Sequence, residues 1–250
     1  MKEILEHLLN NMDDYAEIIK NYNSITVVMT IKNRDTLRLE KCFQSLKDQT
    51  YPCKVILVDF GSEEVCKEEI RKVISNFSPM VTLVEVLRET KDFNKSRALN
   101  IGLRYAETKY ILSTDIDIIF APNFIEEIIN VFKTKPKSII LSRKIDLDKD
   151  GNNNELHEPS ASGSCIAIET DWINKVHGYD EYYTYWGRED NDLVDRAIQD
   201  GYEVIWITDR TKMWHQWHEP ASQQTITEND WYYRKGGKSI IRNPNSWGEL

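Results

Sequence analysis

The sequence lacks any run close to the roughly 20 apolar residues that would cross a bilayer. Its first twenty residues are charged throughout and carry no signal-peptide core. Cysteine is scarce: Cys42, Cys53, Cys66 and Cys165 are the four, in no C-x-x-C spacing, and they read as reduced thiols rather than a disulfide frame. There is no basic excess either. A formal net charge of −9 excludes the broad basic face that a nucleic-acid backbone requires, so an anionic ligand has to be held by a metal or by a few local Lys and Arg. Also missing are a Gly-rich P-loop, G-x-G-x-x-G, G-x-S-x-G and H-E-x-x-H, and with them the chemistries those motifs serve. A soluble, cytoplasmic protein without a transmembrane segment is expected, with peripheral membrane contact left open.

What is present is ordinary material for a globular core: 250 residues, 40% apolar. Ile4, Leu8, Met12, Tyr15 and Ile19 recur at helical steps, so residues 1–24 read as an amphipathic helix. Apolar runs predict strands over 25–31, 54–60, 81–86, 110–114, 138–142, 166–168 and 204–207. Helices are predicted over 37–46, 94–106, 124–132, 172–176 and 189–200. Strands alternating with helices imply βαβ units and a mostly parallel sheet flanked by helices, an α/β protein. Ligands of such sheets sit at the carboxyl ends of the strands. Residues 146–163, rich in Asp, Asn, Gly and Ser, read as a solvated loop. Its D-x-D-x-D-G from Asp146 imitates a calcium loop, but the twelfth position is His157 instead of Glu.

Five groups of residues could carry chemistry. The central one is Asp115-Ile116-Asp117 at the end of an apolar run. On an extended segment the two carboxylates share a face, with Ile116 and Ile118 buried behind them, an arrangement suited to a hard divalent cation. At the ends of the first two strands stand Thr30, Asn33, Arg34 and Asp59. Asn94 opens a helix whose first turn holds Lys95 and Arg97; cations there oppose the helix dipole, which makes sense if a diphosphate lies over them. Along 189–200, Leu193, Val194, Ala197 and Ile198 form the apolar stripe. Asp190 heads that stripe, a position for a general base kept ionised by the helix N-terminus, while Asp192 and Arg196 are expected to pair on the outside. His215 and His218 offer two imidazoles at H-x-x-H spacing.

In this order the motifs resemble the GT-A glycosyltransferases. T-x-x-N-R from Thr30 and Val58-Asp59-x-Gly61-Ser62 are similar to family 2 enzymes. Phe93-Asn94-Lys95-Ser96-Arg97-x-Leu99-Asn100-x-Gly102, the D-I-D, and Gly178-Tyr179-Asp180-Glu181 through Trp186-Gly187-x-Glu189-Asp190-x-Asp192-Leu193 resemble the β-1,4-galactosyltransferase and chondroitin-polymerase type. The resemblance implies a GT-A fold and an inverting, Mn²⁺- or Mg²⁺-dependent transfer of a hexose or N-acetylhexosamine. The donor would be a nucleotide sugar, UDP-linked by preference, and the acceptor a hydroxyl of a saccharide or glycoconjugate. It places Thr30, Arg34, Asp59, Asn94, Lys95, Arg97 and Asp115 around the nucleotide sugar, and Asp117 with His215 and His218 on the metal. Trp186, Gly187 and Glu189 would meet the acceptor, and Asp190 would act as base. The expected organisation is one catalytic domain over 25–220, with a nucleotide-sugar half (25–120), an acceptor half (121–220) and a tail (221–250). A retaining transferase and a catalytically silent sugar-binding module are the alternatives.

Overall fold

The computed structural model describes residues 24–87, 92–156, 164–184, 187–219, 226–235 and 239–249. The expected N-terminal helix, His157 and Trp186 lie outside the described residues.

A seven-stranded sheet forms the body. Its strands are β1 (Ile25–Ile31), β2 (Lys54–Asp59), β3 (Val81–Glu85), β4 (Tyr110–Thr114), β6 (Ser138–Leu141), β9 (Cys165–Glu169) and β10 (Glu203–Trp206). They lie in the order β10-β6-β9-β4-β1-β2-β3. All pairings are parallel except those of β9, which runs antiparallel between β4 and β6. β1, β2 and β4 are buried almost end to end because helices cover both faces, and this is why they appear as continuous apolar runs. The helices are α1 (Thr36–Lys47), α2 (Glu64–Ser75), α3 (Lys95–Arg104), α4 (Phe124–Thr134), α5 (Thr170–Val176), α6 (Glu189–Gln199) and α7 (Ile226–Lys235). None among the described residues is long and apolar enough to cross a membrane.

A second, four-stranded sheet departs from expectation. It consists of β5 (Ile118–Phe120), β11 (Met213–His215), β7 (Lys144–Leu147) and β8 (Asn153–Leu156), in that order. The stretch read as a loop therefore begins as a hairpin. Its turn is closed by Asp148, whose Oδ1 accepts from the backbone N–H of Asp150 and of Asn152 at 2.9 and 2.8 Å. The aspartate-rich pattern is thus a turn device. The segment beyond the histidines is not featureless either: it contains α7, and Trp247 is buried in a core cluster with Leu99, Tyr179 and Leu193.

Helix α3 approaches the sheet closely through Gly102. A Cβ there would lie 2.6 Å from Val28 Cγ1 and 2.9 Å from Val58 Cγ2, both on buried strands that cannot yield. Gly102→Ala is therefore expected to destabilise the fold. Overpacking of about 1–3 kcal/mol outweighs the roughly 1 kcal/mol that alanine's helix preference returns. A lowered thermal midpoint would confirm this, and an unchanged one would refute the close packing.

Candidate active site

At the carboxyl edge, the loops after β1 and β2 are stitched together. The Asn33 backbone N–H donates to Ser62 Oγ at 2.9 Å, and Asn33 Oδ1 accepts from the Glu63 N–H at 2.7 Å. Asn33 is left-handed at φ 48° and Gly61 at φ 76°; asparagine and glycine tolerate this region best. The stitch leaves Asp59 buried at the end of β2, one carboxylate oxygen accepting from the Ser62 N–H at 3.0 Å. Its other oxygen is buried with no hydrogen-bond partner among the described residues. Thr30 is half-buried beside it, and Arg34 is exposed. A buried carboxylate oxygen without a donor is costly unless a ligand supplies one.

The D-I-D is a turn. β4 ends at Thr114, residues 115–117 turn, and β5 carries the chain into the second sheet. The two carboxylates therefore diverge instead of sharing one face of a strand, although Ile116 and Ile118 are buried as expected. Asp115 turns to Lys95, Oδ1 to Nζ at 3.0 Å, and accepts from the Ser164 hydroxyl at 2.7 Å. The same ammonium lies 3.3 Å from Glu189 and 3.5 Å from Asp190. Lys95 is thus a buried cation among three carboxylates rather than an open basic turn. Burial would lower its pKa, but Asp115, Asp190 and Glu189 outweigh that and raise it well above the ordinary lysine range. Burial likewise opposes ionisation of Asp115, and Lys95 with the Ser164 hydroxyl overcomes it, holding that carboxyl well below the usual range. For Asp190 burial wins. Its carboxyl is pushed up to about 7, with Glu189 and Asp115 adding to the rise and Lys95 opposing it. The helix N-terminus does not keep this group acidic. A small cleft opens between Lys95, Leu99, Ser113, Thr114, Ser164 and Asp190.

On the far side of the turn, Asp117 meets the histidines. The Gln216 N–H donates to the Asp117 carbonyl at 2.9 Å, and His215 pairs with Ile118 across β11 and β5. Asp117 lies 3.7 Å from His215 Nε2 and 3.4 Å from His218 Nε2. The other ring nitrogens are occupied: His215 Nδ1 by Asp146 Oδ1 at 2.9 Å, His218 Nδ1 by the Glu219 carbonyl at 2.7 Å. A carboxylate and a carbonyl only accept, so both Nδ1 atoms carry hydrogen. In the neutral imidazoles both Nε2 lone pairs then face a carboxylate that also only accepts. Three such atoms within 4.8 Å of one another can share a cation, and two imidazoles with a carboxylate suit a divalent transition metal. Asp117 Oδ1 is buried with no hydrogen-bond donor among the described residues, which fits a carboxylate that binds positive charge.

The structure thus gathers Lys95, Asp115, Glu189 and Asp190 in one cluster and Asp117, His215 and His218 in another, joined by the turn. Arg34 and Arg97 stay on the outside, where Arg97 bonds the Glu249 carbonyl at 3.3 Å. Asn94 is occupied as a cap, accepting from the Arg97 N–H at 2.8 Å and donating to the Glu181 carbonyl at 2.9 Å. Gly187, at φ 109°, donates its N–H to Glu189 Oε2 at 2.8 Å. Asp192 and Arg196 are paired at 2.7 Å but buried, not outside. The carbonyls of Gly178 and Ile240 accept from Arg196, and Arg242 donates to Asp192, so segments distant in sequence cover that face. Sequence reasoning missed Ser164 and the role of Asp146, a carboxylate placed against His215 by the pairing of β7 with β11. The D-x-D-x-D-G pattern flagged Asp146, but for a different purpose.

Residues 26–217 match the family described as Glycosyl transferase family 2. The chain is similar to the chondroitin synthase of Escherichia coli, at 22% identity over 92% of this chain and 39% of that protein. It spans less than half the length of the curated relatives it matches. Its fold is similar to that of the mannosyltransferase PcManGT of Pyrobaculum calidifontis, solved with GDP-Man and Mn²⁺. There the TM-score is 0.64 at 18% identity, covering 89% of this chain and 66% of that one. It is similar also to GalNAc-T7, solved with UDP, GalNAc and Mn²⁺, with a TM-score of 0.64 at 17% identity, covering 80% of this chain and 44% of that one. These neighbours are GT-A glycosyltransferases.

Replacing Lys95 by Met would leave three buried carboxylates without their cation. The expected loss approaches the roughly 3–5 kcal/mol typical of breaking a buried ion pair. It should be larger at pH 8 than at pH 5.5, since Asp190, whose carboxyl burial pushes up to about 7, binds a proton in the folded state at the lower pH and so leaves less uncompensated charge. Thermal midpoints at the two pH values measure this, and a pH-independent loss would speak against a shared cation.

Proposed function

The chain belongs to glycosyl transferase family 2, and within that family we propose that it is an inverting, metal-dependent transferase. It moves a hexose or N-acetylhexosamine from a nucleotide sugar, UDP-linked by preference, to a hydroxyl of a saccharide acceptor. The observation that carries this reading is Asp190, a buried carboxylate with its pKa pushed up to about 7, held 3.5 Å from the ammonium that also binds Asp115. A base matched to neutral pH is what an acceptor hydroxyl needs as it attacks.

The roles follow from position. Asp59 offers its unpartnered oxygen to the nucleobase, with Thr30 and Arg34 on the same edge. Asp115, held ionised by Lys95 and Ser164, serves the ribose or orders the donor from behind. A divalent cation, Mn²⁺ or Mg²⁺, held by Asp117, His215 and His218 would supply positive charge against the departing diphosphate. Asn94 caps the helix that presents Lys95, while Arg97 is the outward cation available to phosphate or nucleobase. Asp190 receives the acceptor proton. Glu189, anchored by the Gly187 N–H and by Lys95, orients Asp190 and the acceptor, and Gly187 leaves room beside it. A base on the acceptor side favours a single displacement, and so inversion at the anomeric carbon.

Asp190→Asn should abolish transfer while leaving nucleotide binding nearly intact. In the wild type kcat/KM should rise with pH through about 7 as Asp190 ionises. Turnover retained by the variant would remove the base assignment, and a product that keeps the donor's anomeric configuration would remove inversion.

A screen of UDP- and GDP-sugars with Mn²⁺, read as donor consumption, tests the donor class. EDTA should stop transfer and excess Mn²⁺ restore it; transfer that persists in EDTA would exclude metal dependence.

A further inference from the structure

Asp146 belongs to a motif that the reading above does not use. It lies in β7 directly opposite His215 of β11, and its Oδ1 accepts from His215 Nδ1 at 2.9 Å. The hairpin that carries it grips the H-x-x-H segment a second time. At its tip, Lys149 Nζ sits 4.2 Å from the centroid of the Trp217 ring and 3.7 Å from Glu219 Oε1. Two histidines thus turn Nε2 to Asp117, but only one is oriented by a side chain, since the acceptor for His218 is a backbone carbonyl.

We propose that Asp146 is the positioning residue of the metal site: it fixes the His215 imidazole in the Nδ1–H tautomer and so turns its Nε2 lone pair to the cation. This rests on the metal reading given above. The physical reason is that free imidazole favours neither orientation strongly, whereas a carboxylate on one ring nitrogen dictates which nitrogen is left to bind metal and holds the ring plane. The parallel register of β7 with β11 brings Asp146 opposite His215, and the turn closed by Asp148 ends the same strand. The aspartate-rich pattern therefore serves a metal held elsewhere, through one of its members.

The test uses the full chain with Asp146→Ala, Asp146→Asn and, as a control that removes the same charge from the same hairpin, Asp150→Ala. Mn²⁺ is titrated into each protein, with and without UDP, and free Mn²⁺ is read by electron paramagnetic resonance. Histidine ring nitrogens are read by NMR in the metal-free proteins. Asp146→Ala should bind Mn²⁺ about tenfold or more weakly and shift His215 to the Nε2–H form. Asp146→Asn, whose amide oxygen still accepts, should recover most of the affinity and the tautomer. Asp150→Ala should match the wild type. The proposal is overturned if Asp146→Ala keeps either the wild-type affinity or the Nδ1–H tautomer, or if Asp150→Ala loses as much as it does. A wild type that takes up no Mn²⁺ in either condition removes the metal reading itself, a different result from equal binding by wild type and variant.

Discussion

One ammonium group holds the two halves of this site together. Lys95 rises from the first turn of α3 and reaches Asp115 at the end of β4 as well as Glu189 and Asp190 at the start of α6. A lone cation against a helix N-terminus is unfavourable, and three carboxylates in one buried place are worse. Each problem is the solution of the other. Because the cluster carries more negative than positive charge, not every carboxyl can be equally acidic, and burial of Asp190 against the Lys95 and Ser164 contacts of Asp115 sets the two apart. Asp115, closest to it and bonded by Ser164, is held down, while Asp190, farthest and well buried, is pushed up. The same geometry thus holds the Asp115 carboxyl ionised and raises that of Asp190.

The turn at 115–117 is the second determinant. Leaving the large sheet at Thr114 and entering the small one at Ile118, the chain sends one aspartate to the cluster and the other to the histidines. Backbone pairing across 97 to 99 positions of sequence makes the second meeting possible, through Ile118 opposite His215 and the Gln216 N–H on Asp117. The stitch between Asn33 and Ser62 does the same for the edge that carries Asp59.

The strands β1, β2 and β4 were legible in the sequence because each is a dense apolar run buried on both faces, and the helices α1, α3, α4 and α6 because their buried stripes are broad. Helix α2 was not seen, and Ile70 is its one fully buried residue. Strands β5 and β11 span three residues each, too few for any period to show. The site's residue types were visible, but its partnerships were not. Nothing local to Lys95 announces three carboxylates, and nothing local to Asp192 and Arg196 announces that Ile240 and Arg242 cover them.

That cover has a consequence in time. Helix α6 is seated by contacts from the chain's later residues: Arg242 on Asp192, Ile240 on Arg196, and Trp247 in the cluster that includes Leu193. The Gly248 N–H in turn binds Glu181, at the turn that leads into this helix. The parallel strands β1 to β4 can form from neighbouring segments as synthesis proceeds, but the seating of α6 has to wait until residues 240–248 have left the ribosome. A ribosome-bound nascent chain stopped at about residue 235 would hold strands β1 to β4 nearly finished and α6 not yet seated.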